Sequence, residues 1–240
     1  MKTIKNTLSL TFIIVAILLI CFGCVDVSVN PTADINGPDS IIDHKYKARE
    51  SFSDNADVTS QSTLKVENIN GNVNVKAVSG TDRITISAEK IVGSDTNRDA
   101  YASLKNITIE LNELTNELIV KTIQPEFSDG RSYSVNYTIG VPSYLNVIVN
   151  NVNGKISGLL SVPTNGTVDL NLQNGTIDLD IPQNTSADFS ASLVNGYISV
   201  QNLTLHNRVA TNKLVQGKLG NGEGVIALRT TNGDINVSGF

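Results

Sequence analysis

The sequence predicts an all-β protein of the β-solenoid class, and three features of the chain support that prediction. Its composition favours strands and turns, because aromatic residues make up only 5% of the 240 residues, tryptophan is absent, and Asn, Thr, Ser, Gly and Val are common. Apolar and polar residues alternate along most of the chain after residue 60, which is the two-residue period of a strand. The dipeptide Asn-Gly also recurs at a fixed interval, which indicates a repeated structural unit.

The alternating segments predict a succession of strands in the first half of the chain. Leu64 and Val66, for example, flank a lysine, and Val73 and Val75 flank an asparagine. Such spacing places apolar side chains on one face of a strand and polar side chains on the other. The segments with this pattern are residues 62–75, 82–90, 104–111, 117–122, 133–141 and 145–152.

Two segments of the first half depart from the strand pattern. Residues 94–104 open with Ser, Asp and Thr, which are helix-capping residue types, and continue with Ala100, Ala102 and Leu104. We therefore predict one short helix there, lying at one edge of the β-structure. Residues 124–132 are polar and contain Gly130, so they predict an exposed loop.

The second half contains a repeat with a period of 21 residues. Three Asn-Gly pairs lie at this interval, and an isoleucine follows each asparagine by three positions. Equivalent residues can then stack from one rung to the next, as in a solenoid. A simple up-and-down meander is the alternative, because Asn-Gly is also a strong hairpin signal, but a meander requires no identity between its strands. The pairs are Asn153 with Gly154, Asn174 with Gly175 and Asn195 with Gly196, and the isoleucines are Ile156, Ile177 and Ile198.

The same pair occurs near both ends of the β region, as Asn70 with Gly71 and as Asn232 with Gly233. Asn70 precedes Asn153 by 83 residues, which is close to four periods, whereas the step from Asn195 to Asn232 is an irregular 37 residues. We therefore expect one elongated domain over residues 51–240. At each corner the asparagine amide would donate to the asparagine of the next rung, while the glycine adopts a left-handed conformation.

The N-terminus has the pattern of a bacterial lipoprotein signal peptide over residues 1–23. Lys2 and Lys5 are followed by an apolar run from Leu8 to Phe22, which is short for a membrane span. The sequence "CFGC" ends in Cys24, which follows a small residue and is the predicted site of lipidation. An uncleaved signal anchor is the alternative interpretation.

Residues 24–50 are predicted to form a flexible tether behind the lipidated cysteine. They contain Pro31, Gly37 and Pro38 and show little apolar patterning. Cys24 is the last cysteine of the chain, so the exported domain has no disulfide. The lipoprotein signal predicts a cell-envelope location. Val25 stands where some inner-membrane lipoproteins carry an aspartate, so we expect the outer membrane if the organism has one.

Three segments resemble the bacterial putative-adhesin family, also called the toast-rack domain. They are "ENINGNVNVKAVSGTDRITISAEKIVG", "IGVPSYLNVIVNNVNGKI" and the closing "TTNGDINVSGF". The resemblance covers residues 60–240 and implies a β-solenoid-like fold at the bacterial envelope. It implies no catalytic residues.

Candidate reactive groups are few. His44 and His206 are isolated in the sequence, which predicts two surface residues and neither a metal site nor a catalytic relay. Asp169, Asp178 and Asp180 alternate with apolar residues, so they are expected on an outward face, where a stacked row of carboxylates could alternatively bind calcium. No cofactor or metal site is predicted. The net charge of −5 and the lack of a basic cluster argue against nucleic acid as a partner.

These observations favour a non-catalytic envelope lipoprotein that acts as an adhesive, scaffold or spacer module. Its expected partners are the membrane, through the lipid, and an envelope protein or glycan that the sequence does not identify. The alternative is a carbohydrate-active enzyme or a calcium-dependent glycan binder on the same β-solenoid.

Overall fold

The computed structural model describes residues 44–161 and 166–240, and within these residues the chain forms fifteen strands and one short helix. The predicted all-β class is therefore confirmed. The helix is α1 (Asn97–Ser103), which is followed by a 3₁₀ turn (Leu104–Asn106). The strands are β1 (Tyr46–Asp57), β2 (Thr63–Asn70), β3 (Val73–Val78), β4 (Arg83–Ser94), β5 (Thr108–Glu113), β6 (Glu117–Ile123), β7 (Ser132–Pro142), β8 (Asn146–Leu160), β9 (Thr167–Ile181), β10 (Ala187–Asn195), β11 (Ile198–Gln201), β12 (His206–Ala210), β13 (Leu214–Leu219), β14 (Gly224–Asn232) and β15 (Ile235–Gly239).

The Asn-Gly corners divide the sheet into two halves. Residues before the corners form the upstream half, in the order β5, β6, β2, β8, β9, β14, β10, β13, β12. Residues after the corners form the downstream half, in the order β1, β4, β7, β3, β8, β9, β15, β11. The long strands β8 and β9 run through the corner and belong to both halves. Pairing along the rungs is parallel, which a meander of consecutive hairpins does not produce.

In the described part of the chain, six rungs stack in the order β6/β7, β2/β3, β8, β9, β14/β15 and β10/β11. This order corrects two expectations. Asn70 and Asn153 lie on adjacent rungs, because β4 to β7, which come between them in the chain, lie on the opposite side of the β2/β3 rung from β8. The last two rungs also stack in the reverse of their order along the chain, since β14/β15 lies between β9 and β10/β11.

The apolar repeat forms the core. On the downstream half, Ile156 pairs with Ile177 and Ile177 with Ile235, and all three are fully buried. Ile198 pairs with Ile235 and not with Ile177, and it is half-buried. The strand β15 therefore lies between the second and third isoleucines of the predicted stack. Each fully buried isoleucine contributes about 1.5–3 kcal/mol through removal of apolar surface from water. The buried residues of both halves belong to one hydrophobic core.

The folded region begins upstream of the predicted boundary at residue 51. β1 starts at Tyr46 and pairs along its whole length with β4, so residues 46–50 belong to the sheet and not to a tether. His44 is only 7% exposed, which corrects its expected surface position. The remaining residues of the predicted signal peptide and tether, including Cys24, lie outside the described residues.

The predicted helix is confirmed as α1. Its N-cap is Thr96, whose side chain accepts a hydrogen bond of 3.2 Å from the backbone N–H of Asp99. This bond satisfies one of the free donors of the first turn. The helix packs against β1 and β4 at the edge of the downstream half.

The last described strand, β15, is not an edge strand. β15 pairs with β9 on one side and with β11 on the other. The edges of the described sheet are β5 and β12 in the upstream half and β1 and β11 in the downstream half.

Candidate functional site

The five Asn-Gly corners superimpose along the stacking direction. Their glycines have φ angles between +113° at Gly71 and +137° at Gly233, where residues with a side chain are strained. A Cβ atom on Gly154 would overlap the carbonyl oxygen of Gly71, and one on Gly233 would overlap that of Gly175. The corner therefore requires glycine for its backbone conformation and for the close approach of neighbouring rungs.

The asparagines of these corners form one hydrogen-bonded ladder. After the first member, Asn70, each side-chain amide Nδ2 donates to the Oδ1 of the asparagine on the preceding rung. The donor–acceptor distances are 2.7 Å from Asn153 to Asn70, 2.8 Å from Asn174 to Asn153, 2.7 Å from Asn232 to Asn174 and 2.9 Å from Asn195 to Asn232. The sequence predicts the members of this ladder, but the structure places Asn232 between Asn174 and Asn195.

A second row of polar residues lies on the outer face of the upstream half, where an open groove of about 450 Å³ crosses four adjacent strands. We call this groove the outer trough. On each strand a buried residue is next to partly or fully exposed ones at equivalent positions, and we call each row of exposed residues a wall. The trough is lined by residues 67–68 of β2, 150–152 of β8, 171–173 of β9 and 229–231 of β14.

Hydrogen bonds order one wall of the outer trough. Asn171 Nδ2 donates to Asn150 Oδ1 and to Asp169 Oδ1, at 3.1 Å in both cases. Arg229 Nη1 donates to Asp169 Oδ1 at 2.6 Å and to Asn171 Oδ1 at 3.1 Å. These contacts fix the side chains of β8, β9 and β14 relative to one another and neutralise the Asp169 carboxylate.

Glu67 continues this wall on β2 and is held by two lysines. Lys65 Nζ lies 2.6 Å from Glu67 Oε1, and Lys121 Nζ lies 3.8 Å from Oε2. The hydrogen bond from Lys65 holds the pKa of the Glu67 carboxyl below its ordinary value, against the opposing effect of burial. Glu67 is therefore ionised at neutral pH and paired.

The predicted carboxylate row is divided by the corner. Asp169 lies on the upstream half, whereas Asp178 and Asp180 lie on the downstream half. Asp178 contacts Lys155 and accepts a hydrogen bond of 2.8 Å from Asn236. Among the described residues, no group of three or more His, Cys, Asp or Glu side chains is placed to hold a metal ion.

The two histidines lie in different surroundings. His206 is exposed on the edge strand β12. His44 is buried, and its Nδ1 lies 3.5 Å from a carboxylate oxygen of Asp95, whose side chain is exposed. The structure therefore does not bring the two histidines together with a common nucleophile.

Parallel rungs, glycine corners and a continuous asparagine ladder define an open, solenoid-like β-protein. The chain belongs to the Toastrack DUF4097 family, whose model matches residues 50–238. No helix within the described residues has the length and apolar character needed to cross a membrane.

One solved structure supports the fold. A "putative cell adhesion protein" from Clostridium sporogenes matches 80% of this chain and 100% of its own, with 12% identity and a TM-score of 0.50. A "putative adhesin" from Bacteroides fragilis matches 78% of this chain and 97% of its own, with 13% identity and a TM-score of 0.29, which is too low to support an argument. A comparison with curated proteins finds no match.

Proposed function

We propose that this protein is a non-catalytic adhesion module of the bacterial cell envelope, anchored by a lipid on Cys24. The observation that carries the proposal is the outer face of the upstream half, where polar side chains of neighbouring rungs, among them Asn150, Asn171 and Thr231, line an open groove on a glycine-cornered frame. Such a face offers many weak hydrogen bonds in parallel, and adhesion uses contacts of this kind. The family membership and the printed description of the Clostridium structure are consistent with this role.

The charged groups of the rungs also favour binding over catalysis. A catalytic acid or base needs an environment that shifts its pKa towards the working pH. Asp169 is engaged by Arg229, Asp178 by Lys155, and Glu67 by Lys65. All three carboxylates are thus held in ion pairs, and the hydrogen bond from Lys65 lowers the pKa of Glu67, which suits a structural or binding surface.

Anchoring follows from the N-terminal sequence. A lipidated Cys24 would carry two or three acyl chains, and two chains already give stable attachment, whereas one is marginal. The predicted location is the cell envelope, in the outer membrane where the cell has one.

The test uses cells that lack the gene, complemented with the natural protein or with Cys24→Ser. We expect the natural protein in the membrane fraction, with acyl mass on Cys24 by intact-mass analysis, and attachment of the cells to a surface or to one another. Cys24→Ser should release the protein and abolish attachment. A mature chain without acyl mass on Cys24, or attachment that is unchanged when the gene is missing, would refute the proposal.

The purified full chain is used to test the enzymatic alternative. Panels of polysaccharides and esters are incubated with the full chain, with and without calcium, and products are measured. We expect no turnover. Turnover that disappears in His206→Ala or Asp178→Asn would replace the adhesion proposal with an enzymatic function.

A further inference from the structure

We propose that the outer trough binds a neutral, hydroxyl-rich glycan chain laid across the rungs. This inference rests on the proposed adhesive function and assigns it a site and a class of ligand. The trough crosses β2, β8, β9 and β14, which are consecutive neighbours in the sheet. Because neighbouring strands lie about 4.8 Å apart, the four strands span about 14 Å from first to last and present a repeating row to a linear polymer.

The row consists of residues in strict register. Glu67 pairs with Asn150, Asn150 with Asn171, and Asn171 with Arg229. Because the side chains of a paired row stand on the same face, the polar groups of all four rungs point outward at the same level. A linear ligand can therefore meet one outward polar side chain on each rung, and the two central rungs present the same group, the amides of Asn150 and Asn171.

Several polar groups of the trough remain available to a ligand. Asn150 uses its Oδ1 to accept from Asn171, and within the described residues its Nδ2 has no partner. The side chains of Gln173 and Thr231 are exposed and likewise make no hydrogen bond in the described part of the chain. Amides and hydroxyls both donate and accept, which matches the hydroxyl groups of a sugar.

The charge of the trough favours a neutral ligand. Arg229 is engaged by Asp169, and Glu67 lies between Lys65 and Lys121. Both charged residues that line the trough are therefore paired, so a charged polymer would have to compete with these ion pairs for its contacts. Neutral hydroxyl groups incur a smaller desolvation cost here than ions do.

The position of the trough argues against an extended peptide as the ligand. A peptide that adds to a sheet needs a strand edge with free backbone groups. Each of the four strands of the trough has hydrogen-bonded neighbours on both sides, because β6 flanks β2 and β10 flanks β14. Only side chains are therefore available, and their contacts suit a polyol.

The experiment measures binding of neutral oligosaccharides to the full chain in detergent micelles by isothermal titration calorimetry. The probes are two-, four- and six-unit oligomers of glucose, mannose and N-acetylglucosamine, with oligogalacturonate as the anionic comparison. We expect at least one neutral series to bind, with affinity rising up to about four units because the trough crosses four strands, and weaker binding of oligogalacturonate.

The variant Asn150→Leu/Gln173→Leu keeps the approximate volume of both side chains and removes the amide groups that would bind a ligand. Asn171 retains its bonds to Asp169 and Arg229 in this variant, so the melting temperature should be nearly unchanged. We expect the dissociation constant of the best neutral hexamer to rise at least tenfold. The matched control is Asn74→Ala/Ser157→Ala, a pair on adjacent rungs of the downstream half, which should bind as the natural protein does.

Three outcomes would overturn the inference: no neutral oligomer binds, the anionic series binds more tightly, or the trough variant and its control bind equally well. These failures are distinguishable from failure of the adhesion proposal, which is judged by Cys24→Ser and gene loss in cells. Attachment that depends on the protein but not on Asn150 and Gln173 would leave the adhesive function standing and refute the trough as its site.

Discussion

The asparagine ladder ends in two different environments. At its first end, Asn70 Nδ2 donates to the backbone carbonyl of Tyr133 at 3.1 Å, and the β6/β7 rung covers the corner. At its other end, Asn195 is exposed and donates only to Asn232 among the described residues. The covered end also has a buried polar network, in which the Thr122 hydroxyl bonds to Asn68 Oδ1 at 2.9 Å and to the Tyr137 hydroxyl at 2.6 Å.

The difference shows that one local motif can have different energetic roles along the ladder. The glycine conformation is similar at the two ends, with φ of +113° at Gly71 and +134° at Gly196, because the backbone of each corner is set locally and by the rung it contacts. The cost of losing a corner side chain depends instead on what surrounds it. A buried amide left without a partner costs more than an exposed one, which water can satisfy.

The largest expected effect concerns the apolar stack next to the ladder. Ile177 is fully buried between Ile156 and Ile235, whereas Ile198 is half-buried in the edge strand β11. We expect Ile177→Ala to lower the free energy of unfolding by about 2–5 kcal/mol, the range for large core residues. Ile198→Ala should cost clearly less, because part of its side chain is already in water.

Urea unfolding followed by circular dichroism measures both values, and the two variants serve as controls for each other because they occupy equivalent positions 21 residues apart. Equal losses of stability would mean that the β11 end is as well packed as the centre, which would contradict the contrast between the two ends.

A smaller effect is expected for the asparagines at the two ends. Asn70→Ala removes the acceptor of Asn153 Nδ2 and the donor to the Tyr133 carbonyl, in a half-buried corner. We expect a loss of about 1–3 kcal/mol. Asn195→Ala removes one exposed hydrogen bond and should cost about 0.5–1 kcal/mol, within the usual net value of such a bond.

Thermal unfolding of the two asparagine variants tests this difference. The ladder model also predicts increased amide hydrogen exchange at the corner of β8 in Asn70→Ala but not in Asn195→Ala. If Asn195→Ala proves the more damaging substitution, the exposed end contributes more to the ladder than its contacts indicate.

Much of the rung structure could be predicted from the sequence, because register and corner chemistry are local. The 21-residue step between Asn153 and Asn174 identified the β8–β9 pair, and the Asn-Gly pairs identified all five corners. The order of the last rungs could not be predicted in this way. Asn195 and Asn232 belong to equally good corner motifs, so either could follow Asn174. Long-range pairing decides, because β13 occupies one side of β10 and leaves the other side to β14.

The outer trough was less accessible to sequence reasoning for the same reason. Asn150 and Asn171 are 21 residues apart, so the repeat predicts that they lie side by side on the outward, polar face. Glu67 and Arg229 join them only through the pairing of β2 with β8 and of β14 with β9. The buried His44 was missed because the start of β1 lacks a clear apolar alternation.

Substitution of Tyr137, at the covered end, is expected to have the smallest effect on stability at neutral pH. Its effect also has the sharpest pH dependence. Tyr137→Phe removes its hydrogen bond with Thr122, but Thr122 keeps its bond to Asn68, so a loss of about 1 kcal/mol or less is expected. Burial raises the pKa of Tyr137 from 10.0 to about 12. Between pH 10 and pH 12 the unfolded chain therefore loses this proton first, and the free energy of unfolding of the natural protein falls as pH rises.

Denaturant unfolding at pH 8, 10, 11 and 12 measures this decrease in the free energy of unfolding. In Tyr137→Phe, the part of the decrease that comes from ionisation of Tyr137 should be missing. The control is Tyr197→Phe, which changes a side chain that is 80% exposed beside the uncovered end of the ladder. This control should retain the full alkaline loss of stability. If Tyr137→Phe and the natural protein lose stability in parallel over this range, the phenol is not buried in solution, and water reaches the Asn68 network at the end of the ladder that we describe as covered.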